Sequence, residues 1–264
     1  MTIDTLAINE IITGDNVEIM RGIGDGVIDL TITSPPYDGL RTYNGYSFNF
    51  ESVAKELYRI ARGGGVVVWV VGDSTIKGSE TGTSFKQALR FMEIGFRLHD
   101  TMIYQKNSYP FPPKNRYYQQ FEYMFVFSKG APSTSNLLRC DSKGLKREST
   151  QRNANGTTSE FTSEGNSTRI RDNVWQVDVG YMRTTKDKYA YKHPAMFPEK
   201  LAEDHILSWS NPGNVIFDPF GGSGTTAKMA KLNNRNYVHI DISDEYNEIA
   251  RQRVNDVITA KGDE

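Results

Sequence analysis

The chain has few of the residues that build disulfides, metal clusters or membrane spans. It contains a single cysteine, Cys140, in 264 residues, which excludes an intrachain disulfide and a cysteine-based metal cluster. Its longest apolar run, at 66–71, is far shorter than the roughly 20 residues that cross a bilayer. The first residues lack the basic start and apolar core of a signal peptide. We therefore expect a cytoplasmic protein with no metal and no membrane association.

The chain also lacks an excess of charge of one sign. Its net charge is −1, so it is not a polycation that coats nucleic acid without selectivity. Residues 131–192, however, hold 11 Lys and Arg against 7 Asp and Glu. This local excess is compatible with one segment that faces nucleic acid.

Strand-like and helix-like segments alternate along the chain. Strands are predicted at 8–13, 28–32, 66–71, 101–104, 123–127, 215–217 and 237–240. Helices are predicted at 16–22, 52–61, 84–94, 198–209, 225–232 and 244–254. This alternation predicts an α/β fold with a doubly wound, mostly parallel sheet. The Ser-, Thr- and Asn-rich segment 151–168 is expected to form a mobile loop, or a loop ordered only by a partner.

A glycine-rich turn follows the strand predicted at 215–217 and opens the next helix. Such a turn allows a ligand to approach the backbone closely, although a tight connection alone would also explain it. A Gly-Lys-Ser/Thr sequence is absent, which disfavours a nucleotide phosphate loop. The residues of this candidate cofactor site are Asp218, Phe220, Gly221, Gly222, Ser223, Gly224 and Thr225.

Two acidic residues indicate which cofactor this turn binds. Asp241 comes about 20 residues after the turn, at the end of the next strand, where a carboxylate binds ribose hydroxyls. Asp218 precedes the turn and is placed to bind a cationic amine. A second carboxylate would repel the pyrophosphate of NAD, whereas S-adenosylmethionine carries an ammonium group. The charges therefore favour S-adenosylmethionine.

A second turn, Ser-Pro-Pro-Tyr, follows the strand predicted at 28–32. Two prolines stop both helix and strand, so this segment forms a rigid turn at the strand end. A nucleobase amine is a poor nucleophile, and the Ser34 hydroxyl and Pro35 carbonyl are two candidate acceptors for its hydrogens. An aromatic ring at Tyr37 offers a stacking face for an extruded base. An ordinary proline turn remains the alternative. The candidate catalytic residues are Ser34, Pro35, Pro36 and Tyr37.

Together the two turns resemble those of the β class of amino-group DNA methyltransferases. In that family the catalytic motif precedes the cofactor motif, and a target-recognition region separates them; the order here is the same. The resemblance covers most of the chain and implies a Rossmann-like methyltransferase fold. It also implies direct transfer of a methyl group from S-adenosylmethionine to an exocyclic amine of duplex DNA, without a covalent enzyme intermediate.

The resemblance assigns further residues and domains. It implies that Asp15 contacts the cofactor adenine and that Phe197, in the segment 193–201, closes on the cofactor. It divides the chain into a catalytic half at 1–130, a target-recognition insertion at 131–190 and a cofactor-binding half at 191–264. A homodimer is plausible by the same analogy. The candidate DNA-binding residues are Arg41, Lys114, Arg116, Arg139, Lys143, Lys146, Arg147, Arg169 and Arg171.

Several functions remain open at this stage. Ser-Pro-Pro-Tyr is more often associated with N4 of cytosine in the family, so cytosine is slightly favoured over N6 of adenine. Related Pro-Pro-Tyr turns also serve methyltransferases of RNA and of protein amides, although those families usually carry the cofactor motif first. The alternative outside the enzymes is a catalytically silent regulator that binds DNA.

Overall fold

The computed structural model describes residues 2–3, 6–37, 49–107, 114–144, 147–163 and 165–261. A central sheet and six α-helices form the framework of this part of the chain. The sheet strands are β1 (Glu10–Thr13), β2 (Ile28–Thr33), β3 (Ala61–Val71), β4 (Arg97–Lys106), β5 (Phe121–Ser128), β6 (Val174–Val177), β7 (Val215–Asp218) and β8 (Asn236–Asp241). The helices are α1 (Asn16–Arg21), α2 (Phe50–Ile60), α3 (Thr83–Ile94), α4 (Glu199–Trp209), α5 (Thr225–Leu232) and α6 (Asp244–Lys261), with a short 3₁₀ helix at Lys188–Lys192.

The sheet has eight strands in the order β6–β4–β5–β3–β2–β7–β8–β1. β5 is antiparallel to both of its neighbours, and the other five strand pairs are parallel. Helices flank the sheet in two groups: α1 packs on α2 and α2 on α3, while α4 packs on α5 and α5 on α6. The α/β prediction with a doubly wound, mostly parallel sheet is therefore confirmed.

The core lies where β3 meets α2 and α3. Residues 66–71 are buried on both faces, as their unbroken apolar run predicts. Trp69 packs edge-to-face on Phe91 of α3 at 5.1 Å between ring centroids. The indole Nε1 of Trp69 also donates to Gln87 Oε1 at 2.8 Å, which satisfies both buried polar groups. Every helix in the described part of the chain is too short or too polar to span a bilayer.

Four small two-stranded sheets complete the described secondary structure. They pair Thr2–Ile3 with Leu6–Ala7, Thr75–Ile76 with Ser79–Glu80, Arg139–Asp141 with Thr168–Ile170, and Arg147–Arg152 with Thr158–Ser163. The chain contacts divide the protein into two compact units. The larger unit comprises Met1–Asn136 and Asn173–Glu264, and the smaller unit comprises Leu137–Asp172.

The prediction of a loop over the whole of 151–168 is wrong, because half of this segment lies in antiparallel strands. Arg152 pairs with Thr158, and the turn between them has Gly156 at φ +84°. An Asn-Gly dipeptide at 155–156 is a strong hairpin signal, and the flanking threonines favour extended backbone. Polar composition concealed this signal because neither face of the hairpin is apolar.

Candidate active site

The two predicted turns lie at neighbouring strand ends. β2 and β7 are adjacent and parallel, with Thr31 opposite Phe217, so both strands end at the same edge of the sheet. The Ser-Pro-Pro-Tyr turn follows β2, and the glycine turn follows β7. At this edge Thr33 Oγ1 donates a hydrogen bond to Asp218 Oδ1 at 2.7 Å. The last residues of β2 and β7 are thus in direct contact.

Both turns line one cavity of about 1320 Å³. This volume exceeds the roughly 300–1,000 Å³ of typical small-ligand pockets, so it has room for a nucleotide-like ligand and a second group. The predicted residues in its wall are Ser34, Pro36, Tyr37, Phe197, Asp218, Phe220, Gly221, Gly222, Ser223, Thr225 and Asp241. Among the described residues, the predicted Asp15, Pro35 and Gly224 lie outside this wall.

The glycine turn is shaped by side chains that occupy the space of absent Cβ atoms. A Cβ on Gly221 would lie 2.1 Å from the ring of His239. A Cβ on Gly222 would lie 2.8 Å from His193 Nε2, and Gly222 also has φ +51°. Gly224, at φ +79°, is the N-cap of α5. The turn therefore needs glycine for close packing as well as for backbone conformation.

Two carboxylates, the buried Asp218 and the half-buried Asp241, flank the glycine turn. Burial raises the pKa of Asp218 to about 6; hydrogen bonds from Thr33 and from the Phe220 amide oppose this shift, and the charge of Asp241 adds to it. Burial also raises the pKa of Asp241, whose Oδ2 accepts a hydrogen bond from Gly222 N at 2.9 Å. A cationic ligand or a pair of ribose hydroxyls would compensate these desolvated acceptors.

A residue that the sequence did not reveal, Asn16, also lines the cavity. Asn16 is buried, and its Nδ2 donates to Pro219 O at 3.1 Å, whereas its Oδ1 has no hydrogen-bond partner among the described residues. The neighbouring Asp15 caps α1 instead, because its Oδ1 accepts from Val17 N at 2.9 Å and Glu18 N at 3.0 Å. The structure thus brings Asn16, and not Asp15, to the wall, where Oδ1 offers an acceptor to a ligand.

A polar network links the Ser-Pro-Pro-Tyr turn to β4 and β5. Ser34 Oγ lies 2.9 Å from Tyr37 Oη, and Tyr37 Oη donates to Glu122 Oε2 at 2.8 Å. Lys106 forms an ion pair with Glu122, and its Nζ lies 5.6 Å from the ring centroid of Tyr104. Burial, with the charge of Glu122, raises the pKa of Tyr104. These residues of β4 and β5 belong to neither sequence motif, so the sequence did not predict them as site residues. The sheet brings them to the cavity.

A second network lies behind the glycine turn and centres on Arg253, which is fully buried. Arg253 Nη1 donates to Ser223 O at 2.9 Å and to Thr225 Oγ1 at 2.9 Å. Its other guanidinium nitrogens contact Asp187 at 2.7 Å and Glu199 at 2.6 Å. Burial alone would raise the pKa of Asp187, but hydrogen bonds from Lys228 and Arg253 give it a net lowering. Arg253 thus connects α6 to the backbone of the cofactor turn.

The candidate DNA-binding residues have varied surroundings. Arg169 forms an ion pair with Asp172 at 2.6 Å, and Arg139 Nε donates to Thr168 Oγ1 at 2.9 Å. Arg116 lies 3.4 Å from Glu80. Of the remaining candidates, Lys114 and Lys143 are exposed, Arg171 is half-buried, Arg147 begins a hairpin strand, and Arg41 and Lys146 lie outside the described residues. Their contacts with DNA stay a prediction.

The sheet, the position of the cavity and the two turns define a class I methyltransferase fold. Solved structures support this class. PvuII DNA methyltransferase (cytosine-N4-specific) superposes with a TM-score of 0.71 at 22% identity, covering 95% of this chain and 91% of that one. The M1.HpyAVI–SAM complex gives a TM-score of 0.60 at 20% identity, covering 93% and 99%.

Sequence comparison defines the family. The family profile described as DNA methylase, for N6 and N4 methyltransferases, matches residues 28–252. The chain is 59% identical over 252 residues to the orphan methyltransferase M.BamHII of Bacillus amyloliquefaciens, covering 90% of this chain and 92% of that protein. It is 24% identical over 287 residues to the type II methyltransferase M.SmaI of Serratia marcescens, covering 93% and 90%.

The chain therefore belongs to the N6/N4 DNA methylase family, as the resemblance predicted. It is an S-adenosylmethionine-dependent DNA methyltransferase. Three features of the cavity are compatible with this cofactor: the carboxylates of Asp218 and Asp241 are acceptors in its wall, Asn16 Oδ1 is an acceptor without a partner among the described residues, and the glycine turn opens onto the cavity.

Proposed function

We propose that this protein methylates the exocyclic amine of a flipped base in duplex DNA, with N4 of cytosine slightly favoured over N6 of adenine. The observation that carries the proposal is the shared cavity, whose wall contains Ser34 and Tyr37 together with Asp218 and Asp241. Acceptors for an amine and acceptors for a cationic cofactor thus face one space. A base stacked in a duplex could not enter this space, so the target must leave the helix.

The residues of the Ser-Pro-Pro-Tyr turn activate the amine in this proposal. Ser34 Oγ, in the cavity wall, accepts a hydrogen bond from one amine hydrogen, which draws electron density toward nitrogen. The Pro35 carbonyl is the second acceptor in this proposal, although Pro35 is not among the residues of the wall. Tyr37, in the cavity wall, presents a ring for base stacking. When bound, S-adenosylmethionine supplies the electrophilic methyl group. Asp218 and Asp241 hold the cofactor ends, while Asn16 and Phe197 line the same wall.

The preference for cytosine rests on serine as the first residue of the turn. The test is to incubate DNA with the protein and isotope-labelled cofactor, digest the DNA to nucleosides and identify the labelled nucleoside by mass spectrometry. We expect N4-methyldeoxycytidine. Labelled N6-methyldeoxyadenosine would refute the base assignment and leave the methyltransferase assignment intact. DNA binding in a gel-shift assay without any transfer would favour the silent regulator.

We also propose that the target-recognition insertion spans 131–190, between the catalytic half at 1–130 and the cofactor-binding half at 191–264. The smaller unit, Leu137–Asp172, lies within this range and carries Arg139, Lys143, Arg169 and Arg171. Identity of 59% to an orphan methyltransferase supports action without a partner nuclease. The homodimer and the cytoplasmic location stay predictions.

A further inference from the structure

The hydroxyl of Tyr37 lies at the centre of a hydrogen-bond network in the active-site cavity. Tyr37 Oη is 2.9 Å from Ser34 Oγ and 2.8 Å from Glu122 Oε2, with the carbonyl of Val70 farther away at 3.4 Å. Ser34, Tyr37, Glu122 and Lys106 all line the cavity. Because Tyr37 and Glu122 come from different strand ends, their contact joins the catalytic turn to the rigid sheet.

The chemistry of these groups determines the direction of each hydrogen bond. A tyrosine hydroxyl has one hydrogen, and a carboxylate can only accept. Lys106 forms an ion pair with Glu122 and so stabilises its charged form. Tyr37 therefore donates its hydrogen to Glu122, and the short contact with Ser34 requires that Ser34 be the donor. With its hydrogen directed at Tyr37, Ser34 Oγ keeps both of its lone pairs to accept hydrogen bonds from another donor.

The side chains of Glu122 and Tyr37 both lie against the backbone at Gly72. A Cβ on Gly72 would lie 3.5 Å from Glu122 Cγ and 3.6 Å from Tyr37 Cε2, so both side chains pack over the bare backbone. The hydrogen bonds of this network join the Ser-Pro-Pro-Tyr turn to β5.

We propose that Glu122, held by Lys106, is a positioning residue that orients the Ser34 hydroxyl through Tyr37. In this arrangement Ser34 Oγ presents a lone pair, and not its hydrogen, to the target amine. The inference rests on the proposed function and names residues outside both sequence motifs. Without Glu122 the Tyr37 hydrogen can turn toward Ser34, and the Ser34 hydrogen can then point at the amine and oppose its approach.

The first test measures single-turnover methylation and cofactor affinity for Glu122→Ala with Ser34 intact and in the Ser34→Ala background. We expect Glu122→Ala to lower the transfer rate about 10- to 100-fold when Ser34 is present, the range for loss of a hydrogen bond to a charged group. In the Ser34→Ala background the same change should cost less than about threefold. Cofactor affinity should stay within about threefold of wild type throughout. Equal losses in both backgrounds, or no loss in either, would overturn the proposal.

Two further variants distinguish a role of Glu122 in orienting the Ser34 hydroxyl from a general loss of structure. Glu122→Gln keeps an amide oxygen that accepts from Tyr37, so it should recover most of the rate lost in Glu122→Ala. Glu93→Ala is the matched control, because Glu93 is also paired with a basic side chain, that of Arg90 at 2.8 Å, but on the surface. A glutamine variant as slow as the alanine variant would contradict the assigned direction.

A measurement that does not depend on methyl transfer tests the contact itself. Unfolding in urea is compared for wild type, Tyr37→Phe, Glu122→Ala and the double variant. We expect the two changes to be coupled, with an interaction of about fivefold or more in the unfolding equilibrium constant. Additive effects would show that the contact is not formed. Failure of wild type to methylate DNA would refute the proposed function while this coupling persisted.

Discussion

At the scale of the residue, Asp218 has to satisfy two opposing requirements. In the ligand-free site the side chain of Asp218 is protonated more easily than in water, because burial raises its pKa to about 6. Binding of a cationic ligand favours the ionised form. Since the folded pKa lies above the unfolded value, folded Asp218 holds its proton to higher pH than the unfolded chain does. Its contribution to stability is therefore lost as pH rises from about 4 to about 6.

Asp218→Asn removes this titration while keeping an acceptor for Thr33. The apo variant should be more stable than wild type above about pH 6, by roughly 3 kcal/mol at about 1.4 kcal/mol per pKa unit, and should equal wild type near pH 4. Urea unfolding across this range measures the difference. The variant should also bind S-adenosylmethionine at least about tenfold more weakly by calorimetry. A stability difference independent of pH would contradict this account of Asp218.

Asn16 provides a second prediction at this scale. Its Oδ1 is a buried acceptor in the cavity wall without a partner among the described residues. Asn16→Ala should raise the Kd for S-adenosylmethionine about tenfold, the usual cost of one hydrogen bond. Glu18→Ala is the control, because Glu18 lies on the same helix but is exposed and paired with Arg21. Unchanged affinity in Asn16→Ala would show that the cofactor does not use this acceptor.

At the scale of the element, the glycine turn packs against the side chain of His239 in β8, which in turn contacts Asn247 of α6. The ring of His239 occupies the position of a Gly221 side chain, and its Nε2 lies 2.9 Å from Asn247 Oδ1 of α6. Burial lowers the pKa of His239 to about 4, so the ring is neutral at physiological pH. The turn therefore packs on a rigid, uncharged surface.

Gly221→Ala should displace the turn from His239 and lower cofactor affinity by about 10- to 100-fold, corresponding to 1–3 kcal/mol of overpacking. Gly63→Ala is the matched control, since a Cβ there meets nothing within 4 Å. Adding His239→Ala to Gly221→Ala should restore part of the affinity by opening space. Calorimetric titration of the three variants with S-adenosylmethionine measures these affinities. A Gly221→Ala protein that binds the cofactor as tightly as wild type would refute the steric role of Gly221.

Arg253 acts between elements, because it ties α6 to the glycine turn and to Asp187 and Glu199. Arg253→Met should lower the free energy of unfolding by about 1.5–3 kcal/mol at neutral pH, because the half-buried carboxylates of Asp187 and Glu199 each lose a charged hydrogen-bond donor, although both keep Lys228. Arg251→Met, on the same helix but with an exposed partner in Glu248, should cost less than about 1 kcal/mol.

The destabilisation caused by Arg253→Met should become smaller as pH falls below about 4. The pKa of Asp187 is lowered in the folded state, so the ion pair stabilises the protein above the unfolded pKa of about 4 and this stability is lost as pH falls further. The difference between Arg253→Met and wild type should therefore shrink in urea unfolding at about pH 3. A constant difference down to that pH would assign the effect to packing alone.

At the scale of the whole molecule, the two compact units predict separable functions. All described residues of the cavity wall belong to the larger unit. Replacing 137–172 by a short flexible linker should therefore leave S-adenosylmethionine affinity within about threefold of wild type, because every described wall residue is retained. The same variant should lose methylation at the native recognition site, measured by sequencing of treated DNA. Retained site-specific methylation would remove target recognition from this unit.

The sequence by itself determined the order of the elements and the two turns, because these are local properties. Apolar runs, paired prolines and glycines specify strands and turns within a few residues, and parallel strands place successive turns at one sheet edge. The hairpin at Arg147–Ser163 was missed because its pairing has no apolar face to reveal it, and only its Asn-Gly turn was a local signal.

Only the tertiary structure decided which side chains complete the site. Asn16, Lys106, Glu122 and Arg253 belong to no motif, and each reaches the turns through strand register or helix packing between distant segments. Hydropathy and spacing describe which face of an element is buried, but not which partner a polar side chain meets there. The pairing of Glu122 with Tyr37, across 85 positions of chain, exists because the sheet places β5 beside β3.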